Sequence, residues 1–162
     1  MKKNSFEILI PKQDKRNDTL AYETLEERIR DLFVSISAKK KIQIIWMEMY
    51  QNMMKFRTLD HLSLFRLKTD DLGQVTLISI NYSRKVNVEI LEKKFFVLQN
   101  SKNLRKDFRM KLMQKAESEE KKQGDFGLDF CFRYSKSRKF KRISLPNHEE
   151  IVYLAFSFPL YE

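Results

Sequence analysis

The chain is poor in the residues that build disulfides and metal centres. It has one cysteine, Cys131, and two histidines, His61 and His148, which stand far apart among 162 residues. A single cysteine excludes an internal disulfide, and the wide separation gives no Cys/His spacing typical of a metal site. We therefore expect neither a disulfide scaffold nor a zinc module, and the cysteine usage fits a reducing cytoplasm.

Long apolar runs are also missing. No stretch reaches the roughly 18 consecutive apolar residues of a transmembrane helix. The first apolar run, residues 6–10, is short, contains Glu7 and ends at Pro11. The sequence therefore predicts neither a membrane span nor a signal peptide.

The composition indicates a globular protein with a sizeable core. Hydrophobic residues make up 42% of the chain, with 13 phenylalanines, while charged residues make up 33%. This length predicts one domain over 1–162. The net charge of +10 favours acidic partners, which include nucleic acid, anionic lipid, nucleotide phosphate and acidic protein, and does not choose between them. The oligomeric state stays open, with a homo-oligomer among the alternatives.

Hydrophobic periodicity predicts ten elements in the order β-α-α-β-β-α-α-α-β-β. Helical spacing predicts helices over 20–37, 42–57, 88–98, 104–116 and 126–134, and alternation predicts strands over 6–10, 62–68, 75–82, 140–145 and 151–158. The segment 70–73, DDLG, has the composition of a hairpin turn. Strands grouped as hairpins around inserted helices predict an α+β two-layer sandwich, in which helices cover one face of a mostly antiparallel mixed sheet.

The second predicted helix carries two polar residues beside its apolar stripe. Glu48 and Asn52 stand four residues apart in WMEMYQNMMKF, 46–56, so both lie on one flank at about 6 Å from each other. Carboxylate and amide oxygens can hold a metal ion, and a carboxylate can act as a base in phosphoryl transfer. The alternative interpretation is a solvated helix edge.

Glycine is scarce, and two of the three glycines stand close together. Gly124 and Gly127 lie in GDFGLDF, between a polar stretch and a predicted helix. Glycine lets the backbone approach a phosphate closely, and the helix N-terminus favours its negative charge. A flexible loop whose glycines only permit a turn is the alternative.

The third feature is the basic run RYSKSRKFKR, 133–142. It has six cations, two aromatic residues and no acid. This interleaving is typical of proteins that bind single-stranded nucleic acid. Without an accompanying recognition motif, any such binding is predicted to be weak and nonspecific. Alternatively, the cations protect an edge strand from aggregation.

Together, these features resemble a known fold family. Their order resembles the ATP-binding fold of histidine kinases, gyrase and the anti-sigma-factor serine kinases. The order is a helix with Glu-x-x-x-Asn, a hairpin, a helical excursion, a glycine-bearing lid that enters a helix, and two final strands. The chain most resembles the SiaB type, a compact bacterial protein kinase group, from about Leu20 to Phe158. The segment KIQIIWMEMYQNMMKF, 41–56, is similar to that group's first nucleotide-site helix.

The resemblance implies a serine/threonine protein kinase that acts on a small bacterial signalling protein, with ATP and magnesium as cofactors. It implies that Glu48 is catalytic, because the family's glutamate deprotonates or orients the attacking hydroxyl. It implies that Asn52 is a cofactor and magnesium ligand. Gly124 and Gly127 would belong to the glycine box that covers the phosphates.

Two departures from the family pattern favour an alternative within the same family. Residues 83–86, SRKV, stand where the family usually has a glycine- or asparagine-containing turn and an acidic adenine contact. Asp125, Phe126 and Asp129 stand where the glycine box usually has smaller residues. Acidic or bulky side chains beside a triphosphate add repulsion or remove backbone donors. The alternative is therefore a degenerate pseudokinase that binds a partner.

Two further functions compete with the kinase family. One is a basic nucleic-acid-binding module without enzymatic activity, using 133–142 together with the lysines at 39–41. The other is an interaction protein with a purely structural role. Glu48, Asn52 and the two glycines favour the kinase family, whereas the net charge fits all three.

Overall fold

The computed structural model describes residues 5–10, 15–31, 34–58, 61–70, 73–117 and 127–159. Within these ranges, the helices and strands follow the predicted order, with one added 3-10 turn. They are β1 (Ser5–Ile10), α1 (Lys15–Arg30), α2 (Ile36–Phe56), β2 (Ser63–Thr69), β3 (Gln74–Arg84), α3 (Lys85–Gln99), α4 (Leu104–Glu117), α5 (Gly127–Tyr134), β4 (Ser137–Ser144), the 3-10 turn (Pro146–His148) and β5 (Glu149–Pro159).

The five described strands form one sheet in the order β1-β2-β3-β5-β4. The α+β two-layer prediction is confirmed. Every described pairing is antiparallel, so the expectation of a mixed sheet is wrong. Short connections join β2 to β3 and β4 to β5, and they account for two of these pairings because a short connection reverses the chain. The strands β1 and β4 form the two edges.

The turn between β2 and β3 shows why glycine stands at position 73. Gly73 has a φ of 71°, a left-handed conformation that favours glycine. The Asp70 carboxylate accepts a hydrogen bond of 2.8 Å from the Gln74 backbone N–H, which closes the turn. The predicted hairpin is therefore confirmed.

The core lies on one face of the sheet. Alternate residues of the strands supply it, and their register places Leu77 opposite both Leu67 and Phe156. Phe156 is fully buried and contacts Phe132 of α5 at 5.8 Å between ring centroids. The strand residues of the core are Phe65, Leu67, Val75, Leu77, Val152, Leu154, Phe156 and Phe158. The last four share one face of β5, as the alternation in the sequence predicts.

Helix α2 supplies the opposite side of the core through one apolar stripe. Its buried residues are Ala38, Ile42, Ile45, Trp46, Met49 and Met53. The helix begins earlier than expected, because the Ser35 hydroxyl accepts a hydrogen bond of 3.1 Å from the Ala38 N–H and so caps the N-terminus. The prediction that the first helix extends to residue 37 is therefore wrong. Helix α1 ends at Arg30, and Ile36 belongs to α2 with 75% of its surface exposed.

The basic run 133–142 is divided between two elements. Arg133 lies in the last turn of α5, and Arg138 is the second residue of the edge strand β4. The Arg138 guanidinium donates hydrogen bonds to the carbonyls of Phe132 and Ser135, at 2.6 and 2.8 Å, so this cation ties α5 to β4. The run therefore does not form one continuous surface, and its edge position agrees with the edge-protection interpretation.

Candidate functional site

Helices α2 and α5 meet at the predicted site residues. A Cβ atom added to Gly127 would collide with the Oε2 atom of Glu48 and would lie 3.1 Å from the Nδ2 atom of Asn52. Both side chains therefore point toward the first residue of α5, as the shared helix flank predicted. Gly124 lies outside the described residues. The roles of Glu48 and Asn52 in catalysis and metal binding stay predictions.

Glu48 is a partly buried carboxylate in this contact. Burial raises the pKa of Glu48, and the positive charge of Lys94 opposes this increase. The carboxylate also lies at the N-terminus of α5, where the helix dipole favours negative charge. The site therefore holds an acid with a perturbed pKa, which is common for functional residues and also for buried structural ones.

Asp129 forms an ion-pair cluster that the sequence analysis missed. The residue lies in the first turn of α5, and only 3% of its side chain is exposed. Lys111 of α4 donates a hydrogen bond of 2.6 Å to Oδ1, and Lys94 of α3 lies 3.9 Å from Oδ2. The cluster joins three helices around the N-terminus of α5. Sequence spacing gives no signal for it, because the two lysines stand 35 and 18 positions before Asp129.

A small polar cavity lies behind Asn52, between the helices and the inner face of the sheet. Five polar side chains line it, namely Asn52, Ser79, Asn81, Ser83 and Asn87, among apolar neighbours. Its volume is about 20 Å³. This volume holds one water molecule, whereas pockets for nucleotide-sized ligands span about 300–1,000 Å³. This cavity is therefore too small to hold ATP.

The described residues around Asn52 contain no cluster of carboxylate or imidazole side chains that could hold magnesium. Among the described residues, no three His, Cys, Asp or Glu side chains stand close enough together to hold a metal ion. Within the described residues, Asn52 and Glu48 are the candidate magnesium ligands, and both face Gly127. The cofactor and metal assignments of these residues stay predictions.

The structure brings together the two histidines that stand far apart in the sequence. His61 and His148 both line an open groove of about 670 Å³ beside the start of α3. His61 stacks on Tyr82 at 4.3 Å, and its Nε2 atom lies 3.1 Å from the Glu149 carboxylate. These contacts give His61 a structural role, because they join the ends of β3 and β5.

Comparisons with known proteins support the fold. No protein-family model matches the sequence, and no curated protein matches it. Among solved structures, the chain is similar to one in the crystal structure of the SiaB-SiaC complex from Pseudomonas aeruginosa, with a TM-score of 0.67 and 13% sequence identity. The superposition covers 96% of this chain and 89% of that one. The comparison supports a SiaB-like fold. In the part of the chain that is described, no helix is both long and apolar enough to cross a membrane.

Proposed function

We propose that the protein is a SiaB-like signalling regulator that binds a small partner protein and acts through this binding rather than through phosphoryl transfer. The similar solved structure is a complex of SiaB with SiaC, and the likeness extends over 96% of this chain. We extend the partner-binding role from that complex to this chain. It is the pseudokinase alternative that the sequence departures favour.

The packing of α5 against α2 is the observation on which we base the absence of phosphoryl transfer. Gly127 packs directly against Glu48 and Asn52, and the cavity behind Asn52 has a volume of about 20 Å³. The ion pairs of Asp129 with Lys111 and Lys94 hold α5 in that position. To enlarge this cavity for a nucleotide, α5 would have to separate from α2, and this separation would expose Leu128 and Cys131, which are buried.

A surface on α3 supports the partner-binding part. Val86, Ile90 and Val97 lie within about 40° of one another around the helix axis, given 100° per residue, and are 58%, 59% and 64% exposed. We call these three residues the α3 stripe. A row of exposed large apolar side chains on one helix face is typical of a protein interaction site.

The partner test uses a purified SiaC-type protein from the same organism and size-exclusion chromatography with the full chain. We expect the two proteins to elute together. Ile90→Lys and Val97→Lys should weaken the complex at least tenfold, because each places a charge in an apolar interface. Ile143→Lys is the matched control, because Ile143 is also 61% exposed but lies on β4. Separate elution of the unmodified proteins would overturn the partner assignment.

The second candidate function is an active serine/threonine kinase, which the convergence of Glu48 and Asn52 on Gly127 favours. The fold-family resemblance would give Asn52 the magnesium-nucleotide contact and Glu48 the substrate hydroxyl. Asn52→Ala should then abolish magnesium-dependent ATP binding. Glu48→Gln should preserve binding and lower phosphoryl transfer by roughly a hundredfold or more.

Thermal unfolding with and without millimolar magnesium-ATP separates the two candidates. A regulator without a nucleotide site at Asn52 should show the same melting-temperature response to magnesium-ATP as its Asn52→Ala variant, and no phosphate should transfer to the partner. A kinase should be stabilised, by about 2.7 kcal/mol when ATP is at one hundred times its dissociation constant. A stabilisation that Asn52→Ala removes would overturn the proposal and support the second candidate.

A further inference from the structure

A second cavity, at the other end of α5, is lined by cations. Its volume is about 570 Å³, and its lining consists of Asn103, Arg105, Lys106, Phe108, Arg109 and Arg133. Four of these residues lie in α4, Asn103 directly precedes that helix, and Arg133 comes from the last turn of α5. Among the described residues, no acidic side chain lines the cavity. It is separate from the contact of Gly127 with Glu48, which involves the first residue of α5.

The cations of this cavity have no counter-charge within the described part of the chain. None of Arg105, Lys106, Arg109 and Arg133 forms an ion pair with a described residue. The nearby acid Asp107 instead accepts a hydrogen bond of 2.5 Å from Ser101. The four positive charges therefore line a common space, and no described acidic residue pairs with them.

This arrangement is unfavourable in the free protein. Arg105 and Arg109 stand four residues apart on α4, where like charges repel each other across one helix turn. Arg105 and Lys106 also lie in the first turn of α4, at the positive end of the helix dipole. A bound anion would relieve both repulsions.

The aromatic floor of the cavity holds one cation in place. The Arg133 guanidinium lies 5.5 Å from the centre of the Phe108 ring and 5.7 Å from that of Tyr134. Phe108 packs in turn on Phe130 at 5.0 Å. The side-chain Oδ1 atom of Asn103 accepts a hydrogen bond of 3.1 Å from the Lys106 backbone N–H and so caps α4. The ring contacts of Phe108 join α4 to α5, which places Arg133 beside the cations of α4.

We propose that this cavity binds a small molecule that carries two or more phosphate groups. Guanidinium groups suit phosphate because their planar donors form paired hydrogen bonds with its oxygens. A single phosphate would neutralise only part of the charge, whereas an oligophosphate can reach cations on both helices. A volume of about 570 Å³ lies within the range of pockets for small ligands and suits a nucleotide or a short inorganic oligophosphate. The proposal is independent of the proposed function, because the cavity lining does not include Glu48, Asn52 or any residue of the α3 stripe.

The test is a calorimetric titration of the full chain with inorganic triphosphate at fixed ionic strength, with ADP as a second ligand. We expect saturable binding of triphosphate. The double variant Arg109→Gln with Arg133→Gln should weaken it at least tenfold. The matched control is Lys139→Gln with Lys141→Gln, which removes the same charge from the exposed part of β4 and should change the affinity less than threefold. ADP binding with the same variant dependence would identify a nucleotide ligand, and triphosphate binding without ADP binding would identify an inorganic oligophosphate.

Two further measurements keep the proposal testable. If loss of the Arg133 ring contacts unfolds the first variant, Arg105→Gln with Arg109→Gln removes two charges from α4 alone and should weaken binding to a similar extent. Asn52→Ala should leave triphosphate binding unchanged, which separates this cavity from the site near Gly127.

No saturable binding at millimolar triphosphate would overturn the proposal. An equal loss in the cavity and control variants would also overturn it, because it would indicate attraction by net charge. Tighter binding of a single-stranded oligonucleotide than of triphosphate would also overturn it, if the cavity variant and the control variant weaken that binding equally.

Discussion

The contact between Gly127 and Glu48 can be tested by a double-mutant cycle with Gly127→Ala and Glu48→Ala. Gly127 does not need a positive φ, so alanine fits its backbone conformation. The added Cβ would collide with the end of the Glu48 side chain and would press on Asn52 Nδ2 at 3.1 Å. Both contacts involve the ends of flexible side chains, which can move more readily than backbone.

The magnitude follows from two opposing effects. At a position whose backbone conformation suits alanine, replacing glycine by alanine stabilises by roughly 0.4–1 kcal/mol, because it lowers the conformational entropy of the unfolded chain. Moving Glu48 out of its preferred rotamer costs about 0.5–1.5 kcal/mol. We therefore expect Gly127→Ala to change the stability of the parent by less than about 1 kcal/mol. In the Glu48→Ala background, the main collision is gone, and the same change should stabilise by about 0.4–1 kcal/mol.

The assay is equilibrium unfolding in urea for the parent, the two single variants and the double variant. The expected interaction energy between the two positions is about 0.5–1.5 kcal/mol, the size found for residues in contact. Ile143→Ala in place of Glu48→Ala is the control, because Ile143 is an exposed residue of β4. Additive effects of Gly127→Ala and Glu48→Ala would refute the close approach of α2 and α5 at this point.

Three further predictions concern the pH response, the ion pairs and the core. Because burial raises the pKa of Glu48, its carboxyl group contributes stability at acid pH that is lost as the pH rises through the folded-state pKa. Glu48→Gln should therefore be more stable than the parent at pH 7, by less than about 1 kcal/mol because the group is partly solvated. In thermal unfolding, the variant should lose this advantage near about pH 4. Lys111→Met should lower the free energy of unfolding by about 1–3 kcal/mol, because it removes the 2.6 Å partner of the buried Asp129 carboxylate, whereas Lys111→Arg should retain most of the stability in urea. Phe156→Ala should cost about 3–5 kcal/mol in the same assay, because the ring is fully buried.

Each of these predictions has an outcome that would contradict it. A stability difference between Glu48→Gln and the parent that is the same at pH 4 and pH 7 would show that the Glu48 pKa is not raised by folding. Equal urea midpoints for Lys111→Met and the parent would show that the ion pair of Asp129 does not stabilise the fold. A loss below 1 kcal/mol for Phe156→Ala would place that ring outside a tightly packed core.

The sequence by itself determined the order of the elements and the face that each of them buries. Periods of 2 and 3.6 residues record burial directly, so the stripe of α2 and the inner face of β5 could be predicted from spacing alone. The boundary at Ser35 could not be predicted from the stripe. The apolar pattern continues through Ile36, and a hydroxyl that caps the helix decides the boundary instead. The flank shared by Glu48 and Asn52 was likewise predictable, because it depends only on helix geometry.

Only the tertiary structure decided what these residues meet. The pairing of Asp129 with Lys111 and Lys94, and the cavity between the start of α4 and Arg133, depend on how three helices pack together. Such contacts join residues that are distant in the chain, and local spacing carries no information on the distance between packed elements. The same holds for the cavity beside Asn52. Its residue types were visible in the sequence, but its volume of about 20 Å³ is set by the approach of α5 to α2 through Gly127, where the absence of a side chain lets the two helices touch.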